Sequence, residues 1–246
     1  MWHSLQDVVD NSRRANDTEN RRLHPLASRL SIYFSWIFIN LGLTPNQVTG
    51  LFFLVGLLGA IILLRISFLS VILSYILFRL HIIIDVSDGE VARYTKKFSI
   101  NGSYWDSMIH AVLYPTYFVI MCISQYFIYG DEVFLYLSSF GGIITSLLLS
   151  VKNNYYRAML FNDRKISEFK VKTDALPKVG LKFFILSSIL ELMSFEGLFV
   201  GFIIVNYLNN PLLTKILFFL YLIFFSLVII VKFYQLSIKG FYRTRS

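Results

Sequence analysis

Six runs of apolar residues, each long enough to cross a bilayer, leave this chain few folds. They fall at 46–64, 66–84, 107–129, 133–151, 183–208 and 211–231. About 20 apolar residues rising about 1.5 Å each span the hydrocarbon core. Inside it no water is at hand for backbone N–H and C=O groups, so each run must be helical. Composition agrees: 56% of residues are hydrophobic and only 15% charged, where soluble domains average about 25% charged. A cytosolic enzyme, a disordered chain and a disulfide scaffold are excluded. The single cysteine, Cys122, cannot form an internal bridge.

The breaks between runs are mostly hairpin turns: Arg65, then Gly130–Asp131–Glu132, then Asn209–Asn210 before Pro211. Two connections, 85–106 and 152–182, are longer and charged. The first 25 residues are polar, with no apolar core of a signal peptide. Residues 26–41 are apolar and aromatic but short, with Arg29 inside, and predict an amphipathic helix in the interface rather than a span. With that helix on the surface, nearly all of the 23 Lys and Arg residues fall on one side, against Arg65 and Lys215 opposite. The positive-inside rule then makes both termini and both long connections cytoplasmic. The net charge of +8 reads as this membrane topology, and no basic–aromatic alternation suggests nucleic acid. Thr44 and Pro45 predict the start of the first span, as N-cap and first helical residue. The expected organisation is an all-α membrane protein: an N-terminal segment with its interfacial helix at 1–45, a six-helix domain at 46–236 and a cytoplasmic tail at 237–246.

Polar chemistry concentrates in one place. Asp85, Asp88, Gly89 and Ala92 stand at i, i+3, i+4 and i+7, one stripe of a helix; Gly102, Asp106 and His110, at i, i+4 and i+8, form another. Consecutive antiparallel helices let the stripes face each other at the cytoplasmic boundary. Three carboxylates and an imidazole then converge beside a slot left by Gly89, Ala92 and Gly102. Carboxylates so crowded repel one another, a divalent cation relieves the conflict, and oxygen ligands favour Mg²⁺, Mn²⁺ or Ca²⁺ over zinc.

These residues resemble the signature of the CDP-alcohol phosphatidyltransferase family, D-x2-D-G-x2-A-R-x8-G-x3-D-x3-D. The chain matches it at Asp85, Asp88, Gly89, Ala92, Arg93, Gly102 and Asp106 with every spacing kept. The resemblance implies an enzyme that cleaves the pyrophosphate of a CDP-alcohol, transfers the phosphoryl-alcohol to an acceptor hydroxyl and releases CMP. It implies that Asp85, Asp88 and Asp106 hold one or two Mg²⁺ or Mn²⁺ ions. Gly89, Ala92 and Gly102 would line the nucleotide slot, and Arg93 would steady a phosphate or a carboxylate. The last position departs from the family, with His110 in place of the aspartate regarded as the base. Histidine serves as a base or as a metal ligand; loss of activity is the third alternative. The family's commonest donor, CDP-diacylglycerol with a small polar acceptor, implies phospholipid synthesis in the plasma membrane. A CDP-linked head group or polyol with a lipid acceptor is the alternative, and a catalytically inactive lipid-binding or assembly protein a further one. The family often forms homodimers.

Weaker signals surround this site. Lys152 and Arg157, at the mouth of the basic connection, are candidate contacts for a phosphorylated acceptor. Arg79 and Glu191 stand at similar membrane depth and predict a buried ion pair. His81, one turn before Asp85, predicts a packed or hydrogen-bonded residue rather than a ligand. A transporter would place its site near the midplane between repeated halves; these carboxylates sit at the end of one hairpin, and no repeat is visible.

Overall fold

The computed structural model describes residues 2–13, 25–161 and 194–239. Regular structure among them is entirely helical: α1 (Leu5–Ser12), α2 (Pro25–Asn40), α3 (Pro45–Leu63), α4 (Phe68–Thr95), α5 (Ile100–Tyr129), α6 (Val133–Phe161), α7 (Phe195–Tyr207) and α8 (Pro211–Tyr234), closed by a π-helical turn at Gln235–Lys239. Five of these (α3, α4, α5, α6 and α8) are long and apolar enough to cross a membrane. The first half of the expected span at 183–208 lies outside the described residues, and its second half forms the 13-residue apolar α7. Helix α2 occupies the segment expected to be helical before the first span. Helix α1 falls in the polar N-terminal segment, where the sequence pattern predicts none.

Most of the charged connection at 85–106 is helical, as its two helical stripes predict. Helix α4 runs on past the apolar run at 66–84 to Thr95, and α5 begins at Ile100, leaving only residues 96–99 as a link. At 28 residues, or about 42 Å, α4 exceeds the roughly 30 Å hydrocarbon core, so a helical end is available to carry charge beyond it. The stop is a left-handed cap at Lys96 (φ +54°), with the Lys97 N–H on the Ala92 carbonyl at 3.1 Å. That is a Schellman closure made without glycine.

The chain forms two compact units, divided between Leu113 and Tyr114 within α5. In the first, α3 starts as expected: Thr44 and Gln47 form a capping box ahead of Pro45. Its buried stripe of Val48, Phe52, Gly56, Gly59, Ala60 and Leu63 packs inward, while Leu54, Leu58 and Ile61 are left exposed. Helix α2 packs on α4 through serines. The Ser31 and Ser35 hydroxyls donate to the Glu90 carboxylate at 3.0 and 2.6 Å, and Ser87 donates to the Ser31 carbonyl at 3.0 Å. Small residues allow the close approach, and the hydroxyls satisfy a carboxylate that is buried. Helix α1 is tied to the end of α4: Tyr94 donates to Asp7 at 2.5 Å, and the Trp36 indole on α2 donates to the His3 carbonyl at 2.8 Å.

The second unit is an aromatic core. Phe118, Phe134, Phe199, Phe202 and Phe218 are all fully buried, with Phe118, Phe134 and Phe202 in ring contact with Phe218. Gly130 (φ +68°) ends α5, and Asn210 caps α8 before Pro211, as the turn residues predict. Asp131 pairs with Lys215, which holds its carboxyl below the usual range, helped by the Val133 N–H.

Candidate active site

Three helix ends in the first unit build the site. The last turns of α4 supply Asp85, Asp88, Gly89 and Ala92, and the first turns of α5 supply Gly102, Asp106 and His110. The two expected stripes therefore meet. His110 Nε2 stands 3.4 Å from Asp85 Oδ1 and 3.2 Å from Asp106 Oδ1. One ligand atom from each of these three residues lies within 4.8 Å of the other two.

Asp88, expected as a third metal ligand, lies outside that trio. It faces the adjoining cleft, where the Thr49 hydroxyl of α3 donates to its Oδ2 at 2.8 Å. Thr49 is 4% exposed, so water cannot readily replace that donor. The cleft holds about 230 Å³; Pro45, Asn46 and Thr49 of α3 form one wall, and Asp88, Gly89 and Ala92 of α4 another. Lys97, Phe98 and Ser99 come from the link, and Gly102, Ser103 and Asp106 from α5.

The small residues have a measurable purpose. A Cβ on Gly102 would sit 2.8 Å from Asn46 Oδ1 and 2.9 Å from Ser99 Oγ. The Gly102 N–H meanwhile takes Ser99 Oγ as acceptor at 2.9 Å. A Cβ on Gly89 would stand 3.3 Å from an Arg93 guanidinium nitrogen. Arg93 itself does not line the cleft. Its Nε donates to the Ser12 carbonyl at 2.5 Å, fastening α1 to the helix that carries the aspartates.

The donor set fits a divalent cation. Asp106 Oδ1 is buried and makes no hydrogen bond of good geometry, although His110 stands close. Two carboxylates and an imidazole at this mutual distance offer two oxygen donors and one nitrogen donor to a metal ion.

Nothing in the sequence marks Thr49, Asn46, Lys97 or Ser99 as site residues. The one available signal is the helix start at Thr44–Pro45, which places Asn46 and Thr49 in the first turns of α3. His81 is packed and hydrogen-bonded, as expected: it is fully buried with Nδ1 2.9 Å from the Phe52 carbonyl. The side chains of Lys152 and Arg157 lie outside the described residues, as does Glu191, the expected partner of Arg79.

A helical protein with five apolar helices long enough to cross a membrane, and with a cation-competent cluster beside a cleft at its helix ends, has the outline of a metal-dependent membrane enzyme. Comparison with known proteins makes this specific. Residues 42–237 match the model of the CDP-alcohol phosphatidyltransferase family, and the chain belongs to that family. A 105-residue stretch is 33% identical to the "Bifunctional IPC transferase and DIPP synthase" of Archaeoglobus fulgidus, covering 38% of this chain and 20% of that protein. The match thus takes in about a fifth of the relative's length.

Proposed function

We propose that this protein transfers the phosphoryl-alcohol of a CDP-alcohol to an acceptor hydroxyl and releases CMP. The observation that carries this is the meeting of Asp85, Asp106 and His110 beside a cleft walled by Asp88, Gly89, Ala92 and Gly102. In the reaction the acceptor oxygen attacks the phosphorus bearing the alcohol. The bond from that phosphorus to the CMP oxygen breaks, and the acceptor proton leaves to a base.

Asp85, Asp88 and Asp106 hold one or two divalent cations, Mg²⁺ or Mn²⁺. When bound, such a cation neutralises charge on the pyrophosphate and on departing CMP. The glycines and Ala92 leave room for the nucleotide, and Lys97, Asn46 and Ser99 offer polar contacts along the cleft. His110 is the proposed base: with a cation held by Asp85 and Asp106 in place of their contact with His110, its Nε2 would be free to receive the acceptor proton. One observation favours a second reading, in which His110 is a metal ligand: the same Nε2 stands between both aspartates.

CDP-diacylglycerol is the donor we favour, in phospholipid synthesis. Phe98 at the cleft is 73% exposed, and Tyr104 and Trp105 are exposed on the adjoining turn of α5, a surface suited to acyl chains and headgroups. In this reading the chain has six spans with both termini cytoplasmic, its site faces the cytoplasm at the plasma membrane, and α2 lies in the interface, as the excess of Lys and Arg on one side supports. Lys152 and Arg157 are the proposed contacts for a phosphorylated acceptor, and a homodimer is the proposed assembly. Purified protein with Mg²⁺ or Mn²⁺ should release CMP from one of a panel of CDP-alcohols only when its acceptor is present. Turnover of CDP-diacylglycerol supports this donor. Turnover confined to CDP-linked head groups or polyols with a lipid acceptor favours the reverse arrangement. No CMP from any pair refutes the reading.

A further inference from the structure

His81 is fully buried one helical turn before Asp85, and its Nδ1 lies 2.9 Å from the Phe52 carbonyl oxygen. A carbonyl only accepts, so Nδ1 carries the proton and Nε2 is the bare nitrogen. That Nε2 is also buried and makes no hydrogen bond with the described residues. An apolar side chain would fill the space without burying an unpaired polar atom, so packing alone does not account for histidine here.

The neighbours suggest what does. The His81 ring meets Phe52 edge-on at 5.1 Å and His110 edge-on at 5.7 Å, while Phe52 stacks on His110 at 5.9 Å with planes 23° apart. His110 therefore rests against the Phe52 ring and against the His81 ring, and the His81 ring is held by the Phe52 backbone carbonyl. Gly56 keeps the space open, since a Cβ there would come within 2.9 Å of His81 Nδ1. We propose that His81 is a positioning residue: its Nδ1–H bond to the Phe52 backbone carbonyl holds the His81 ring against His110, keeping His110 Nε2 toward Asp85 and Asp106. The role holds whether His110 is base or ligand, and it rests on the proposed transfer reaction.

A double-mutant cycle tests it in the full-length protein. His81→Phe keeps a ring and removes the hydrogen bond. It should lower kcat by roughly 10- to 100-fold, the cost of a small misplacement of a reacting group, with KM for the CDP-alcohol little changed. In a His110→Ala background the same substitution should have no further effect. Additive losses, or an unchanged kcat in His81→Phe, would overturn the proposal. Absence of CMP release from the wild type would instead count against the transfer reaction, and a wild-type rate in His110→Ala against any role for His110 and for His81 through it. Should His81→Phe fail to fold, ¹⁵N spectra of histidine-labelled wild-type protein, assigned with His81→Asn, decide the geometry. A signal for Nδ1–H with bare Nε2 is expected, and the opposite tautomer overturns the proposal.

Discussion

Thr49 lies outside the motif, yet its hydroxyl donates to the Asp88 carboxylate at 2.8 Å and is almost wholly removed from solvent. Thr49→Val preserves shape and deletes the donor. A hydrogen bond to a charged group is worth about 1.5–3 kcal/mol, and each 1.36 kcal/mol lost from the transition state is about tenfold in rate. If Asp88 must be held for the reaction, kcat/KM should fall roughly 10- to 150-fold, whereas Thr49→Ser should retain most of the activity. Because Thr49→Val also strips a buried donor from the Asp88 carboxylate, its Tm is measured in parallel and the rate is compared on folded protein. The assay is CMP release by purified protein in lipid nanodiscs, with metal affinity measured alongside. A wild-type rate in Thr49→Val, or an equal loss in Thr49→Ser, refutes the reasoning.

Three further perturbations probe the scaffold. Ser35→Ala removes a 2.6 Å donor from the buried Glu90 carboxylate and should destabilise the protein by about 1.5–3 kcal/mol; unchanged unfolding in detergent would show that the α2–α4 network carries no weight. Gly141→Ala would bring a Cβ within 1.9 Å of the buried Phe118 ring, an overpacking that should cost about 1–3 kcal/mol, read as a lower Tm. Asp131 has a folded pKa held down mainly by Lys215, so its stabilisation is full above its unfolded pKa of about 3.9 and is lost as pH falls through the folded value. Asp131→Asn should therefore lower Tm at neutral pH and leave it unchanged in strong acid; a pH-independent difference would count against the ion pair.

Much of the site is legible in the amino-acid order alone. Asp85, Asp88, Gly89 and Ala92 share a helical stripe, as do Gly102, Asp106 and His110, and side-chain spacing suffices to say so. The hairpin at Gly130–Asp131 and the start at Thr44–Pro45 are written in residues whose backbone preferences are strong. What escapes is whatever depends on packing. The stripe implies that α4 continues past Asp85, but not that its polar turns are held by Ser31, Ser35, Ser12 and Thr49 from other helices. Its stop at Lys96 lacks the usual glycine. Glu90 occupies an unassigned position between Gly89 and Ala92, and only the approach of α2 reveals its two serine partners. Asp88 reads as equivalent to Asp85 until Thr49 draws it to the cleft side.

The central claim is that Asp85, Asp88 and Asp106 hold the cation on which CMP release depends. The most direct measurement titrates Mn²⁺ into metal-stripped wild-type protein and the three Asp→Asn variants, following bound Mn²⁺ by electron paramagnetic resonance and CMP release in the same samples. The account predicts that wild-type activity rises with bound Mn²⁺, and that each variant loses tight binding and turnover together while still inserting as a folded protein. Near-normal turnover in any two of the variants, or wild-type CMP release with no metal bound, would contradict it.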